Sequence, residues 1–548
     1  MEERVMTRQD RGKDIRRDDA NRDYPDPFPN HPDNGEEGYY HDAQGHRNFI
    51  GNYSKGMHHH PIDDSEAGEV VSADYRSLLD ALNSGDPADF ERIRLAGALK
   101  LIDPQAGLAF DVEGVDSHAI ATRPAPRIRE AEAAGEMVEL YWMALLRDVP
   151  FHKFDGPNAE PLVSTAANEL SSLSDFRGPK DANGRVTPGT IFRGATSGDL
   201  IGPYVSQFLL RGNDIPSIGK NEIDGLIRYG SLVIDQRQIT VLPGKNNSDY
   251  MYTYTDWLAV QNGDDRNGQD RYDNIPRFIR NMRDLANWVH RDALYEAFLN
   301  ACLILLGMKA PFNPGNPYIM SSTQEGFGTF GAPHILSLVT EVATRALKAT
   351  WYQKWFVHRR LRPEAFGGLI HRMKNSNPPP STPNPLYQIH IDILNAPVLQ
   401  RIFNVYDAYL LPQVFPEGSP THPSYTAGHA TVAGACVTIL KAFFDERFTI
   451  RNPVMVDPSL DGTPNEGTRL TTYNGTLKVG DELNKLASNI GIGRNMAGVH
   501  YRSDYTESLI IGEKIAISIL NDQRRTYNED YSFSFTKFDR TPITIRKS

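Results

Sequence analysis

Apolar positions become regular only after about residue 70. Residues 1–70 are polar, charged and rich in Asp, Asn, Gly and Pro, and read as an N-terminal arm. Beyond them, Ala, Leu and Met over 129–148 recur at the three- and four-residue steps of a helix with one buried face. Helices are also expected over Asp284–Gly307, His334–Leu361, which Pro363 stops, Pro397–Leu411 and Asp504–Asn521. Gly428–Phe448 is apolar nearly all round and should be a central helix. Gln238–Leu242 and Tyr250–Tyr254 flank a Pro-Gly-Lys-Asn-Asn turn and predict a β-hairpin. Asn474-Gly475 carries a second hairpin signal. Asn375–Pro385 reads as a loop. The expectation is a mainly α chain with small hairpins and long loops, in which 71–548 form a single helical domain.

Composition narrows the function classes. With 58 Lys and Arg against 69 Asp and Glu, the 548-residue chain carries a net charge of −11, which argues against a general nucleic-acid binder. Hydrophobic residues at 39% suffice for a sizeable core. Cys302 and Cys436 sit in apolar runs and read as buried free thiols. No apolar run is long enough to span a bilayer, and the N-terminus has no apolar signal region, so the compartment is undetermined. His58-His59-His60 reads as incidental rather than as a metal site.

Three segments carry candidate chemistry. In Lys354-Trp355-Phe356-Val357-His358-Arg359-Arg360-Leu361-Arg362-Pro363, Lys354 continues a core-facing row, where a lysine is costly unless it snorkels to solvent or meets an anion. The loop from Pro416 through His422 to Ala427 runs into the N-terminus of the central helix, where Gly428 lets the backbone approach an anion and His429 stands beside it. In the third segment, Arg494 precedes His500 by six residues and Asp504 follows it by four. Asp504 either starts a capping box with Glu507 or holds the ring N–H of His500. Three fixed cations, a helix N-terminus and two histidines around one site suit a tetrahedral oxyanion.

The order Lys-x7-Arg-Pro, Gly-His at a helix start, then Arg-x5-His-x3-Asp resembles the vanadium-dependent haloperoxidases, which share their anion pocket with the type 2 phosphatidic acid phosphatases and class A acid phosphatases. Lys-Trp-x-Val-His-Arg-x-x-Arg-Pro-Glu, Gly328–His334 and Glu417–Phe444 are similar to the red-algal and cyanobacterial bromoperoxidases. The resemblance implies a core of two four-helix bundles, a vanadate cofactor and assembly into homo-oligomers, either dimers or larger assemblies of dimers. It implies hydrogen peroxide, bromide or iodide, and small organic acceptors as reactants. It further implies that His500 ligates vanadium and that Lys354, Arg362, Arg494 and the Gly428 N–H hold the oxyanion. His429 acts as acid–base, and His422 stands where such bromoperoxidases have His. Ala427 departs from the family pattern, which has a serine there. Phosphate is expected to compete for the site. Some relatives bind structural calcium, but no calcium loop is evident in this sequence. The alternatives are an acid phosphatase with His500 as nucleophile and an inactive anion-binding homologue, for which Ala427 is the one supporting feature.

Overall fold

The computed structural model describes residues 12–15, 17–18, 30–213, 224–376 and 385–547, apart from 42–44, 46, 51 and 65. Most of the lead-in before residue 30, and residues 377–384 of the expected loop, lie outside the described residues.

The principal helices in chain order are α1 (Ser72–Ser84), α2 (Ala131–Leu146), α3 (Pro161–Ser172), α4 (Tyr254–Gln261), α5 (Met282–Trp288), α6 (Glu296–Gly307), α7 (Ala332–Tyr352), α8 (Pro363–Asn375), α9 (Pro397–Tyr406), α10 (Gly428–Phe443), α11 (Val479–Met496) and α12 (Arg502–Thr526). Between them lie two-stranded antiparallel pairs, such as Leu226–Tyr229 with Leu232–Asp235 and Ser532–Thr536 with Pro542–Arg546. The fold is mainly α with small hairpins, as the apolar periodicity predicts.

Helix α10 is the axis, packed against α7, α11 and α12. Every one of its residues is buried except His429. Its contact with α12 is close because Gly434 and Gly512 face each other's backbones. A Cβ at Gly434 would lie 2.2 Å from the Leu509 carbonyl oxygen, and one at Gly512 would lie 2.0 Å from that of Thr431. A second group forms where α2 meets α3, α9 and α11. Cys302 and Cys436 are buried free thiols.

Four expectations need correction. The apolar spacing over Asp284–Gly307 reads as one helix, but the chain breaks between α5 and α6. Val289 and Tyr295 keep the helical rhythm across a gap that holds His290 and Asp292. Gln238–Val241 pairs with Tyr272–Arg277, not with 250–254, where Tyr250 bridges Gln413 instead. Apolar alternation marks a strand without naming its partner. The Asn474-Gly475 signal does not close a hairpin, since Leu470–Thr472 pairs back onto Val454–Val456. Finally, Tyr53, Lys55, Met57 and His59, inside the polar lead-in, are buried against the body.

Candidate active site at the N-terminus of the central helix

Local backbone features bring the three sequence segments together. After α7 the helix widens into a π-turn over Gln353–His358, and Arg359 reverses the chain in a left-handed conformation, φ 38°. Such widened turns re-aim side chains and recur at functional sites. Lys354 thereby points inward and is 0% exposed. Its ammonium donates to the carbonyls of Pro423 (2.5 Å) and Ser424 (2.9 Å) in the loop that enters α10. Arg362, the residue before α8, donates to the carbonyls of His422 (2.9 Å) and Val499 (2.7 Å) and lies 3.0 Å from Nε2 of His500. Arg494, in the last turn of α11, donates to the Val289 carbonyl (2.7 Å), while its buried Nε–H has no hydrogen-bond partner among the described residues. Its guanidinium lies 5.3 Å from the Phe415 ring centre.

His500 sits in the connection between α11 and α12, which turns at Gly498 with φ 86°. Its Nδ1–H donates to Asp504 Oδ2 at 2.8 Å. Asp504 also accepts from the backbone N–H of Tyr501, which caps α12. The capping box expected between Asp504 and Glu507 does not form: Tyr501 is the cap, Asp504 is the third residue of the helix, and its carboxylate holds His500 and the Tyr501 N–H together. Ser424 Oγ and Arg360 supply further donors, and Arg360 continues to Glu136 at 2.8 Å. Burial alone would raise the Asp504 carboxyl, but Arg360 and these hydrogen bonds hold it well below the usual carboxylate range. His500 is pushed well below its ordinary value, chiefly by burial and then by Arg362. The ring is thus neutral with its proton on Nδ1, and the Nε2 lone pair accepts from Arg362.

The cations compress one another. Burial, followed by Arg362, drives Lys354 well below the usual lysine value. Burial, again with Arg362, pushes Arg494 down to about 10. Among the described residues, neither Lys354, Arg362 nor Arg494 forms an ion pair with a carboxylate, whereas buried Arg147, Arg283, Arg360 and Arg502 each do. A buried charge without a counter-ion is costly. A multiply charged oxyanion relieves that cost, and the free N–H groups in the first turn of α10 reinforce it. Among the described residues no group of three or more His, Cys, Asp or Glu side chains is placed to hold a metal cation. The donor set fits an oxyanion with a single imidazole ligand.

His429 is the open side of the pocket. Its side chain is 16% exposed, whereas that of His500 is 2% exposed and Lys354 and Arg362 are buried. Asp292, delivered by the break between α5 and α6, holds its Nε2 at 3.0 Å. Burial lowers the His429 pKa and Asp292 partly restores it, so the net shift is downward and the neutral ring prevails at pH 7. Were His429 to serve as the base, activity would be lost as pH falls through its pKa. Asp292→Asn removes an anion that favours imidazolium, so the acid limb of the pH–rate profile should move to lower pH. Measuring kcat/KM for peroxide against pH checks this.

His422 packs its ring 4.8 Å from that of Trp351. Arg362 can only donate, so Nδ1 of His422, 2.9 Å away, accepts and the ring proton sits on Nε2. Burial, then Lys354 and Arg362, hold this ring neutral. Ala427 is the helix cap of α10 and gives no side-chain hydrogen bond. Its N–H donates to Ser508 Oγ (2.8 Å), and the buried Thr426 hydroxyl beside it has no partner. The sequence reading places Lys354, Arg362, His422, Arg494, His500 and the start of α10 in one pocket, and the structure brings them together. It misses Asp292, Ser424, Arg360 and Glu136, because their roles depend on partners more than 70 residues away. A cavity of about 590 Å³ lined by Phe151, Arg193, Tyr204 and Arg280 contains none of the pocket residues.

The VCPO second helical-bundle domain family matches residues 402–529, which contain α10, α11 and α12. The chain superimposes with a TM-score of 0.83 on the homohexameric structure of the second vanadate-dependent bromoperoxidase from Ascophyllum nodosum, at 28% identity, covering 99% of this chain and 90% of that one. The fold is that of a helical haloperoxidase. The chain is also 42% identical to a vanadium-dependent bromoperoxidase of Corallina officinalis, covering 93% of this chain and 94% of that protein. A third relative, the vanadium-dependent bromoperoxidase of Ascophyllum nodosum, is 33% identical and covers 88% of this chain. The chain belongs to the vanadium-dependent bromoperoxidase family.

Proposed function

We propose that this chain is a vanadate-dependent haloperoxidase that uses hydrogen peroxide to oxidise bromide and iodide, and that the hypohalous product halogenates small organic acceptors. The observation that carries the reading is the set of three buried cations that form no ion pair with a carboxylate among the described residues, arranged around a neutral imidazole.

His500 Nε2 would ligate the metal, while Lys354, Arg362, Arg494 and the Gly428 N–H would hold its oxygens by charge-assisted hydrogen bonds. When bound, vanadate supplies a Lewis-acidic centre that activates peroxide without changing oxidation state. The chain's own residues do the rest. Asp504 fixes the tautomer and direction of His500. His429, at the open side, would take a proton from incoming peroxide at Nδ1, since its Nε2–H donates to Asp292, and Asp292 would stabilise the resulting imidazolium. Lys354 and Arg362 place positive charge where the reacting oxygens gather. Burial keeps bulk water from screening that charge. Phosphate, equal in charge and shape, would compete for the same cations.

No helix among the described residues is long and apolar enough to cross a membrane. The homohexameric structural relative supports a homo-oligomer for this chain.

His422 would favour bromide over chloride. Its Nε2–H adds a polar group to the pocket, where a hydrophobic ring would leave a drier and more strongly polarising site. Turnover per Michaelis constant for bromide should lie well above that for chloride in one buffer near pH 6. Equal values would remove His422 as a halide discriminator.

A further inference from the structure

Residues 52–60 run beside the loop that builds the pocket, and Lys55 is the side chain they bury most unexpectedly. Its side chain is 2% exposed. The ammonium donates to Glu364 Oε1 (2.7 Å) and to the carbonyls of Glu417 (2.7 Å) and Ser419 (2.6 Å), which uses all three of its N–H groups. Glu364 lies two residues beyond Arg362, in the first turn of α8. Its Oε2 accepts from the Ser419 N–H at 2.7 Å, and Oε1 also accepts from Gln261 at 3.1 Å. The side-chain carboxylate of Glu417, whose backbone carbonyl Lys55 holds, engages His290, whose ring stacks on Phe415 at 3.7 Å. Tyr53 lays its ring edge-on to Trp355 at 5.6 Å.

This arrangement answers a question the pocket raises. Arg362 stays free of carboxylates although a buried glutamate follows it by two residues. Glu364 is already committed to Lys55, Gln261 and Ser419. Without the Lys55 charge, Glu364 would be a buried carboxylate lacking a cation, and an arginine claimed by a carboxylate is a weaker receptor for an oxyanion. The carbonyls of Glu417 and Ser419 lie only a few residues before His422, Pro423 and Ser424, which in turn hold Arg362 and Lys354.

We propose that Lys55 is a positioning residue for the oxyanion pocket: by neutralising Glu364, it keeps Arg362 available to the bound oxyanion. The inference rests on the proposed function, since it requires that the pocket bind an oxyanion.

The test is calorimetric titration of inorganic orthovanadate, with phosphate as a second probe, into the full chain and three variants, alongside thermal melting. Lys55→Met, which leaves Glu364 unpaired, should weaken vanadate binding by at least about tenfold. Glu364→Gln should bind vanadate no more weakly than the parent, and Lys55→Met/Glu364→Gln should return to within about threefold of it. A role confined to holding the fold together makes the opposite forecast. All three variants would then lose melting temperature together, and the double variant, lacking the same anchors, would bind as poorly as Lys55→Met. Parental affinity in folded Lys55→Met, or a tenfold loss in the double variant, would overturn the proposal. Where Lys55→Met fails to fold, Glu364→Gln and the double variant decide it by the same limits. If the parent binds neither vanadate nor phosphate, the proposed function fails as well; if the parent binds and Lys55→Met matches it, only the role of Lys55 fails.

Discussion

His500→Ala is expected to abolish tight vanadate binding, with a loss of more than about a hundredfold. Replacing the outer partners of metal-ligating histidines typically costs about 10- to 100-fold, and removal of the ligand itself should exceed that range. The pocket gives a specific reason to expect so large an effect. His500 is the one imidazole whose Nε2 lone pair lies beside Arg362 while its Nδ1–H is fixed on Asp504. Neither His422, which has no carboxylate among the described residues to fix its ring, nor His429, whose Nε2 is held on Asp292, combines a carboxylate-fixed Nδ1 with an Nε2 beside Arg362. The cations remain in His500→Ala, so weak oxyanion binding should persist. Phosphate affinity should therefore fall much less than vanadate affinity. Titration of both anions into the variant measures the two losses, and equal losses would remove His500 as the ligand.

Ala427→Ser is expected to raise vanadate affinity or bromide turnover by about ten- to a hundredfold. A hydrogen bond to a charged group contributes about 1.5–3 kcal/mol, and each 1.4 kcal/mol is about tenfold. Ala427 is fully buried at the first turn of α10, beside the Gly428 N–H, and its side chain can donate nothing. A serine at a helix cap also tends to satisfy free N–H groups of its own helix, which would add stability. The competing donor is Thr426, whose buried hydroxyl has no partner. Thr426→Val separates the two cases. If Thr426 already serves the oxyanion, its loss weakens vanadate binding and Ala427→Ser gains little. If it does not, Thr426→Val is silent toward the anion and Ala427→Ser gains the full effect.

The cation cluster could be read from the sequence because burial makes charge conspicuous. Lys354 interrupts a row of core residues, and Arg362, Arg494 and the Gly428-His429 pair fall in segments with clear helix boundaries. The structure removes the alternative that Lys354 snorkels to solvent. The supporting residues were hidden because nothing local marks them. Asp292 lies in a stretch without Gly or Pro, whose flanking Val289 and Tyr295 continue the helical spacing, so the sequence predicts a helix through the residue that holds His429. Lys55 lies among polar neighbours that read as solvated, and only Glu364, 309 residues later, gives its charge a reason to be buried. The strand at Gln238–Val241 was recognisable, but its partner was not, because alternation specifies a face and leaves the pairing to tertiary contacts. Asp504 shows a different limit. The sequence pairs it with Glu507 in a cap or with His500, whereas four donors from Arg360, Ser424, His500 and Tyr501 converge on it and Glu507 binds Arg123 instead.

The most direct test of the account is to strip the protein of oxyanions, then titrate orthovanadate while following peroxide-dependent bromination at low phosphate. Activity should be absent at the start, rise to saturation at one vanadate per chain, and fall when phosphate is added in excess. Bromination that persists without vanadate, or that follows haem or flavin content instead, would contradict it.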